Sequence, residues 1–152
     1  MEHKKLFFET SVVWKEKTTG LMIAPSADES IEVATPIEFP DGEEGKWSPE
    51  ALFLGAISSC FMTTFLSFAK RKNLAFIKFR CHAEGDVELV DGKFQVTHVN
   101  LYPQLHLMEE EQKLLGEELL VRTEKYCLIS NSVKSTIILH PTVTVEEEAL
   151  IS

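Results

Sequence analysis

The sequence predicts an α+β protein in which antiparallel strands surround two long helices. Residues 51–69 form a stretch without any charged side chain, which is too long for an ordinary strand. Residues 77–89 alternate apolar and polar side chains, which is typical of a half-buried strand. The elements follow the order β-β-β-α-β-β-α-β, and this order with segregated helices indicates the α+β class. A length of 152 residues with 44% hydrophobic residues predicts a single domain covering residues 1–152.

Three short strands are expected before the first helix, at residues 5–14, 20–24 and 30–35. Turn-forming segments separate them, at residues 17–20 and 25–28. A loop rich in proline, glycine and acidic residues then leads to the first helix.

The first helix is predicted to begin at Ser48 and end near Asn73. Ser48 supplies a capping hydroxyl, Pro49 suits the first helical position, and Glu50 places an acid in the first turn. Three cations at residues 70–72 complement the carbonyl end of the helix, and asparagine tolerates the left-handed exit.

The second half of the chain predicts a hairpin, a helix and a last strand. The strand at 77–89 is followed by Asp91-Gly92, a strong hairpin turn, and residues 93–102 form the returning strand. A helix over residues 109–126 and a strand over 135–145 complete the chain. Cys81 falls on the apolar side of the alternating strand, where a cysteine behaves as a small hydrophobic residue.

The composition excludes some classes of partner. A net charge of −9 argues against nucleic acid or an anionic membrane as the main partner. The uncharged stretch has nearly the length of a membrane span, but it contains serines and threonines and is the only such segment. We interpret it as a buried central helix that is apolar on all sides. One small sheet cannot cover such a helix, so a homodimer is expected.

The N-terminus lacks the pattern of a signal peptide, and three cysteines without such a peptide favour a reducing, cytoplasmic location. The five histidines show no metal-ligand spacing, and the chain has no Gly-rich phosphate loop. We therefore expect neither a metal nor a cofactor.

Cys60 and Cys127 are the candidate reactive groups. Cys60 lies inside the uncharged stretch, and Cys127 lies where the second helix should end. One thiol in an apolar pocket and a second on another helix is an arrangement suited to thiol-peroxide chemistry. An apolar environment raises a thiol pKa, so Cys60 needs an activating group. The helix start at Ser48 is about 18 Å away along the axis, too far to supply it.

Two segments resemble the OsmC/Ohr family of osmotically inducible and organic hydroperoxide resistance proteins. SPEALFLGAISSCFMTTFLSFAKRKN is similar to the family's central helix, and EKYCLISNSVK is similar to its second cysteine motif. The resemblance implies an intertwined α+β homodimer and a thiol-dependent peroxidase that reduces organic hydroperoxides. It also implies that Cys60 is the peroxidatic thiol, Cys127 the resolving thiol and Glu50 a carboxylate of the site. A dithiol reductant, of lipoyl type in the family, would restore both thiols.

The sequence departs from the family at one position. The peroxidases carry an activating arginine in the N-terminal strand region, where this chain offers Lys15 and Lys17. Lys17 is favoured because it leads into the predicted turn. Glu50 and Cys60 lie about 15 Å apart along a straight helix. Either the helix breaks between them, at Gly55, or Glu50 acts across a dimer interface.

Two other classes of function remain open from the sequence. One is a non-catalytic small-molecule-binding protein with an apolar cavity at the dimer interface, and the other is a structural dimer module. Apolar side chains around Cys60 would favour a bulky organic peroxide in the first reading and line the cavity in the second: Phe53, Ile57, Phe61, Met62 and Phe65. Most of these side chains are expected to be core.

Overall fold

The computed structural model describes residues 4–146 and confirms the α+β class. The chain divides between Phe53 and Leu54 into two compact units. Each unit carries its own sheet, and the two cysteines of interest lie in the second.

The first unit contains a three-stranded antiparallel sheet. Its strands are β1 (Ser11–Glu16), β2 (Thr19–Ile23) and β3 (Ile31–Val33), in that order across the sheet. The first strand begins six residues later than expected. Its pairing ends at Ser11 opposite Ile23, because β2 stops there and offers no partner to residues 5–10.

The first helix, α1, runs without interruption from Pro49 to Arg71. The Ser48 hydroxyl accepts a hydrogen bond from the Ala51 N–H at 3.0 Å, which satisfies one of the unpaired donors of the first turn. At the other end Asn73 adopts a left-handed conformation with φ 53°, as its position predicted.

Burial of α1 within the chain is confined to one stripe. Its buried residues are Ile57, Phe61, Phe65 and Ala69, spaced one turn apart. Met62 and Leu66 on another side remain about 40% exposed. The expected burial on all sides is therefore not reached within one chain. By length and composition α1 could also cross a membrane, but core helices of soluble proteins pass the same test, so this is weak evidence.

The second unit is built on a long hairpin. Strands β4 (Phe76–Val90) and β5 (Lys93–Leu107) pair antiparallel across the two-residue turn Asp91-Gly92, where both residues have positive φ. Phe79 of β4 stacks on Phe61 and Phe65 of α1, with ring centroids 6.3 and 4.8 Å apart. A β-bulge between Phe76 and Lys78 turns Phe76 onto Phe65, and Ile77 is left partly exposed.

The last expected strand is two strands in the structure. β6 (Thr136–Leu139) and β7 (Thr142–Val145) both pair with β5, and both run parallel to it. The interruption falls at His140-Pro141, where proline cannot donate to a ladder. Because β7 pairs with the far end of β5, β5 extends to Leu107, beyond the expected end at residue 102.

The second helix, α2, spans Lys113–Tyr126 and follows a 3₁₀ turn at Glu110–Gln112. Gly116 allows close packing against the sheet, since a Cβ there would lie 3.0 Å from Leu105 and 3.3 Å from Leu107. This packing fixes the end of α2, where Cys127 begins the next segment.

Candidate functional site

Cys60 lies in the fourth turn of α1, one position before the buried Phe61. Its side chain is half-buried rather than fully enclosed. The Thr64 hydroxyl lies one turn further along and is 3.9 Å from the Cys60 sulfur. The neighbouring Thr63 hydroxyl instead donates to the Cys60 carbonyl, at 3.1 Å.

Cys127 leaves α2 in an extended conformation and starts a compact turn. The Asn131 N–H donates to the Cys127 carbonyl at 3.0 Å, and the Asn131 side chain donates to the Lys125 carbonyl. The Ser132 hydroxyl donates to the Leu128 carbonyl at 2.8 Å. The carbonyls of Cys127 and Leu128 are therefore hydrogen-bonded within the turn. The N–H groups of Leu128 and Ile129 point instead toward Cys60.

The structure places Cys60 and Cys127 near enough to each other that each thiol affects the pKa of the other. Burial alone raises the pKa of the Cys60 thiol. Hydrogen bonds from the Ile129 N–H, the Cys127 thiol, the Thr64 hydroxyl and the Leu128 N–H outweigh that effect, so the pKa is lowered from its ordinary value. Cys60 therefore has the larger tendency of the pair to ionise.

Cys127 has the opposite character. Its side chain is fully buried, and burial raises the pKa of its thiol. Hydrogen bonds from Ser130 act in the other direction, but the nearby Cys60 adds to the rise. One thiol is thus favoured as the thiolate and its neighbour as the protonated partner, which is the asymmetry that distinguishes an attacking from a resolving cysteine.

Cys81 matches its interpretation as a core residue. It is partly buried on β4, opposite Pro103 of β5, and burial raises the pKa of its thiol to about 11. A thiol with that pKa is almost entirely protonated at neutral pH. Cys81 therefore offers a matched control for substitutions of the other two cysteines.

The groups that lower the pKa of Cys60 within the described chain are all uncharged. They belong to residue 64 and residues 127–129, and two of them are backbone N–H groups. The sequence showed that Cys60 needed an activating group but did not identify these donors. The residues Ser130, Asn131 and Ser132 predicted a turn in this segment. They did not identify the donors, because almost every residue has a backbone N–H and no residue type distinguishes the ones that bind a thiolate.

Replacing Thr64 by valine should raise the apparent pKa of Cys60 by up to about half a unit, because one donor to the thiolate is lost. A thiolate reacts with iodoacetamide and a thiol does not, so alkylation of Cys60 accelerates as pH rises through its pKa. The pH at the midpoint should shift upward in Thr64→Val and stay unchanged in Thr63→Val, whose hydroxyl contacts only a carbonyl. Identical midpoints in both variants would show that the Thr64 hydroxyl does not act on the thiolate.

Glu50 lies in the first turn of α1, and one of its carboxylate oxygens, Oε1, is buried without a hydrogen-bond partner among the described residues. A buried, unpaired carboxylate oxygen is costly, so it indicates a missing partner. The proposed break at Gly55 is wrong, since α1 continues through it with unbroken helical structure. The separation of about 15 Å along the axis between Glu50 and Cys60 therefore stands.

The two candidate lysines differ in their surroundings. Lys15 forms an ion pair with Glu32 at 2.9 Å, and a hydrogen bond to that carboxylate raises the pKa of the lysine. Lys17 has a positive φ of 50° in the turn after β1, and its carbonyl accepts a hydrogen bond from the Trp14 indole. Its ammonium has no partner among residues 4–146, which leaves Lys17 the more available of the two.

The described part of the chain holds no group of three or more His, Cys, Asp or Glu side chains placed to bind a metal ion.

The sequence and the fold were compared with those of known proteins. Residues 41–141 match a family model described as OsmC-like protein. The uncharacterized protein YmaD of Bacillus subtilis is 24% identical over 115 residues, which cover 72% of this chain and 77% of YmaD. Cys60 and Cys127 both lie inside residues 41–141, the range that the family model matches.

Several solved structures share the fold. An OsmC-like protein of unknown function from Vibrio cholerae has a TM-score of 0.78 and 24% identity, covering 90% of this chain and 99% of its own. An organic hydroperoxide resistance protein from Elizabethkingia anophelis has a TM-score of 0.72 and 18% identity, covering 94% and 100%. The organic hydroperoxide resistance protein OhrB of Bacillus subtilis has a TM-score of 0.59 and 19% identity, covering 90% and 98%. At these identities the likeness establishes the fold.

Proposed function

The chain belongs to the OsmC-like protein family, and we propose that it is a thiol-dependent peroxidase that reduces organic hydroperoxides. The single observation that carries this proposal is the proximity of two unlike thiols that affect each other's pKa, Cys60 with a lowered pKa and Cys127 with a raised one. Hydroperoxide resistance proteins among its structural neighbours supply the substrate class.

In the proposed cycle the Cys60 thiolate attacks the distal oxygen of the hydroperoxide. The O–O bond breaks, the alkoxide takes up a proton and leaves as an alcohol, and Cys60 becomes a sulfenic acid. The Cys127 sulfur then attacks the Cys60 sulfur. A Cys60–Cys127 disulfide forms, and the hydroxyl leaves as water after taking the Cys127 proton. A dithiol reductant returns both cysteines to thiols by exchange and is itself oxidised to a disulfide.

The N–H groups of Leu128 and Ile129 have a defined part in this cycle. They donate to the Cys60 sulfur while it is negatively charged, which compensates for its partly apolar surroundings. They belong to the same turn as Cys127, so the segment that activates one thiol also carries the other. Structural neighbours named for organic hydroperoxide resistance favour an organic rather than an inorganic peroxide as the substrate.

The test of the proposal is the rate at which the reduced protein consumes cumene hydroperoxide in the presence of a dithiol. Consumption should be faster than with hydrogen peroxide at equal concentration, because the proposed substrate class is that of the organic hydroperoxide resistance proteins. Absence of consumption of either peroxide would favour the alternative, a non-catalytic small-molecule-binding protein.

We expect the protein to form a homodimer that buries more than about 2,000 Å² of total surface. The motivation is the partly exposed apolar surface of α1 at Met62 and Leu66, with no cover from the described chain. Light scattering at micromolar concentration should give twice the mass of the chain. A monomer under those conditions would contradict this expectation.

Lys17 and Glu50 are proposed to complete the site across that interface, Lys17 as the cation that replaces the family's arginine. Lysine provides a point charge without the bidentate geometry of arginine, so its effect should be modest. Replacing Lys17 by alanine should raise the apparent pKa of Cys60 by a few tenths of a unit to about one unit. Lys15→Ala should leave it unchanged, since Lys15 is already paired with Glu32.

The rate of Cys60 alkylation as a function of pH gives the apparent pKa of Cys60 in both variants. If neither lysine substitution raises the midpoint, a lysine does not replace the arginine, and the uncharged donors from Thr64 and residues 127–129 are sufficient.

A further inference from the structure

The strands β4, β5 and β7 carry a polar face that the peroxidase cycle does not use. Two rows of residues cross the three strands in register. Lys78, His106 and Thr144 form one row, because Lys78 pairs with His106 and His106 pairs with Thr144. Arg80, Gln104 and Thr142 form the next row. The rows are about 7 Å apart, the distance between alternate residues of a strand.

These two rows line a concave site of about 260 Å³. Its lining contains two permanent cations, a histidine, an amide and two hydroxyls, and no carboxylate: Lys78, Arg80, His106, Gln104, Thr142 and Thr144, with Leu105 beneath them. In a protein with a net charge of −9, a depression lined by cations and hydrogen-bond donors is unusual.

The charges of β4 on this face separate along the strand. Two of its acidic residues already have partners, because Glu88 interacts with the Thr97 hydroxyl and with His98, and Glu84 pairs with His82. Lys78 and Arg80 have no side-chain partner among residues 4–146. Two adjacent cations without a counter-charge favour binding of an anion from solution.

We propose that this site, lined by Lys78, Arg80, Gln104, His106, Thr142 and Thr144, binds a phosphate group, either free phosphate or the phosphate of a small monoester. The Arg80 guanidinium can donate two parallel hydrogen bonds to phosphate oxygens, and Lys78 adds a point charge from the next row. The Gln104 amide and the Thr142 hydroxyl can donate to the remaining oxygens. A volume of about 260 Å³ is smaller than that of ordinary drug-sized pockets, which limits the ligand to a small anion.

One carboxylate lies at the edge of the site. Glu146 approaches the Nε2 atom of His106 at 3.1 Å, while Nδ1 of the same ring is 2.7 Å from the Thr144 hydroxyl. Glu146 weakens the attraction for a phosphate group and holds His106 at the rim. Removal of the Glu146 charge is therefore expected to increase the affinity for phosphate. The test then includes one variant that should bind phosphate more tightly and one that should bind it more weakly.

The experiment is a titration of the full-length reduced protein with inorganic phosphate, followed by amide NMR at constant ionic strength with chloride as the balancing anion. Shifts should concentrate on the residues of the two rows. Arg80→Gln should weaken binding by about tenfold or more, Glu146→Gln should strengthen it severalfold, and Arg71→Gln, an arginine that lies over Phe68 in α1, should leave it unchanged.

A parallel titration with glycerol 3-phosphate distinguishes the source of the phosphate. Tighter binding of the monoester indicates an organic phosphate, and equal affinity indicates free phosphate; both support the site. Shifts that occur elsewhere, or equal affinity of Arg80→Gln and the parent for both ligands, would overturn the proposal. Arg80 is exposed, so its substitution should not prevent folding, and an unchanged amide spectrum outside the site verifies this.

Discussion

Replacing Cys60 by serine is expected to lower peroxide reduction by about a thousandfold or more. Serine keeps the size of the side chain but has no accessible anion at neutral pH, so the proposed attack on the distal oxygen loses its nucleophile. The measurement is the rate of cumene hydroperoxide consumption with a dithiol in excess. Near-parental consumption by Cys60→Ser would place the reacting thiol elsewhere.

Cys81→Ala is the matched control for that loss. Cys81 is also a cysteine of the second unit, but burial raises the pKa of its thiol to about 11. The control variant removes one small buried side chain and should keep the parental rate. If it loses activity to the same extent while remaining folded, the effect of Cys60→Ser cannot be assigned to its nucleophile.

Replacing Cys127 by serine is expected to separate the two halves of the cycle. Cys60 should still be oxidised by the peroxide, but its sulfenic acid then has no neighbouring thiol. Turnover with a small dithiol should fall by about ten- to a hundredfold, because an intermolecular thiol replaces one held nearby in the same chain. The serine hydroxyl can still donate a hydrogen bond to Cys60, so the alkylation midpoint of Cys60 in the same variant checks that the pKa of Cys60 is largely kept.

Dimedone gives the direct readout, since it reacts with sulfenic acids and not with disulfides. Oxidised Cys127→Ser should carry one dimedone adduct at Cys60, and the oxidised parent should carry almost none. Equal labelling of the two proteins would mean that Cys127 does not resolve the sulfenic acid.

Much of the fold could be predicted because its signals are local. The cap at Ser48, the left-handed exit at Asn73 and the turn Asp91-Gly92 each lie at the predicted place. The wrong predictions concern strand lengths, which depend on pairing between segments that are distant in the sequence. β1 is short because β2 ends at Ile23, and β5 is long because β7 pairs with it in parallel. A single sequence shows neither partner length nor strand direction.

The site was predictable in its residues and less so in its chemistry. The positions of Cys60 and Cys127 on separate helices led to the expectation that they meet, and in the structure each thiol affects the pKa of the other. Their roles in a reaction stay predictions. Their burial is the reverse of what the apolar and polar surroundings indicated, with Cys60 half-buried and Cys127 enclosed. The local sequence around Cys127 is polar, but the turn folds those polar groups onto its own backbone. Lys17 and Glu50 stay predictions because their action requires a second subunit.

The proposed peroxidase cycle is tested most directly by the products of a single turnover without reductant. One equivalent of cumene hydroperoxide is added to the reduced protein, and the cysteines are mapped by mass spectrometry after alkylation. The proposed cycle should give one equivalent of alcohol, a Cys60–Cys127 disulfide and an alkylated, unoxidised Cys81. Recovery of all three cysteines as alkylated thiols, with the hydroperoxide intact, would contradict it.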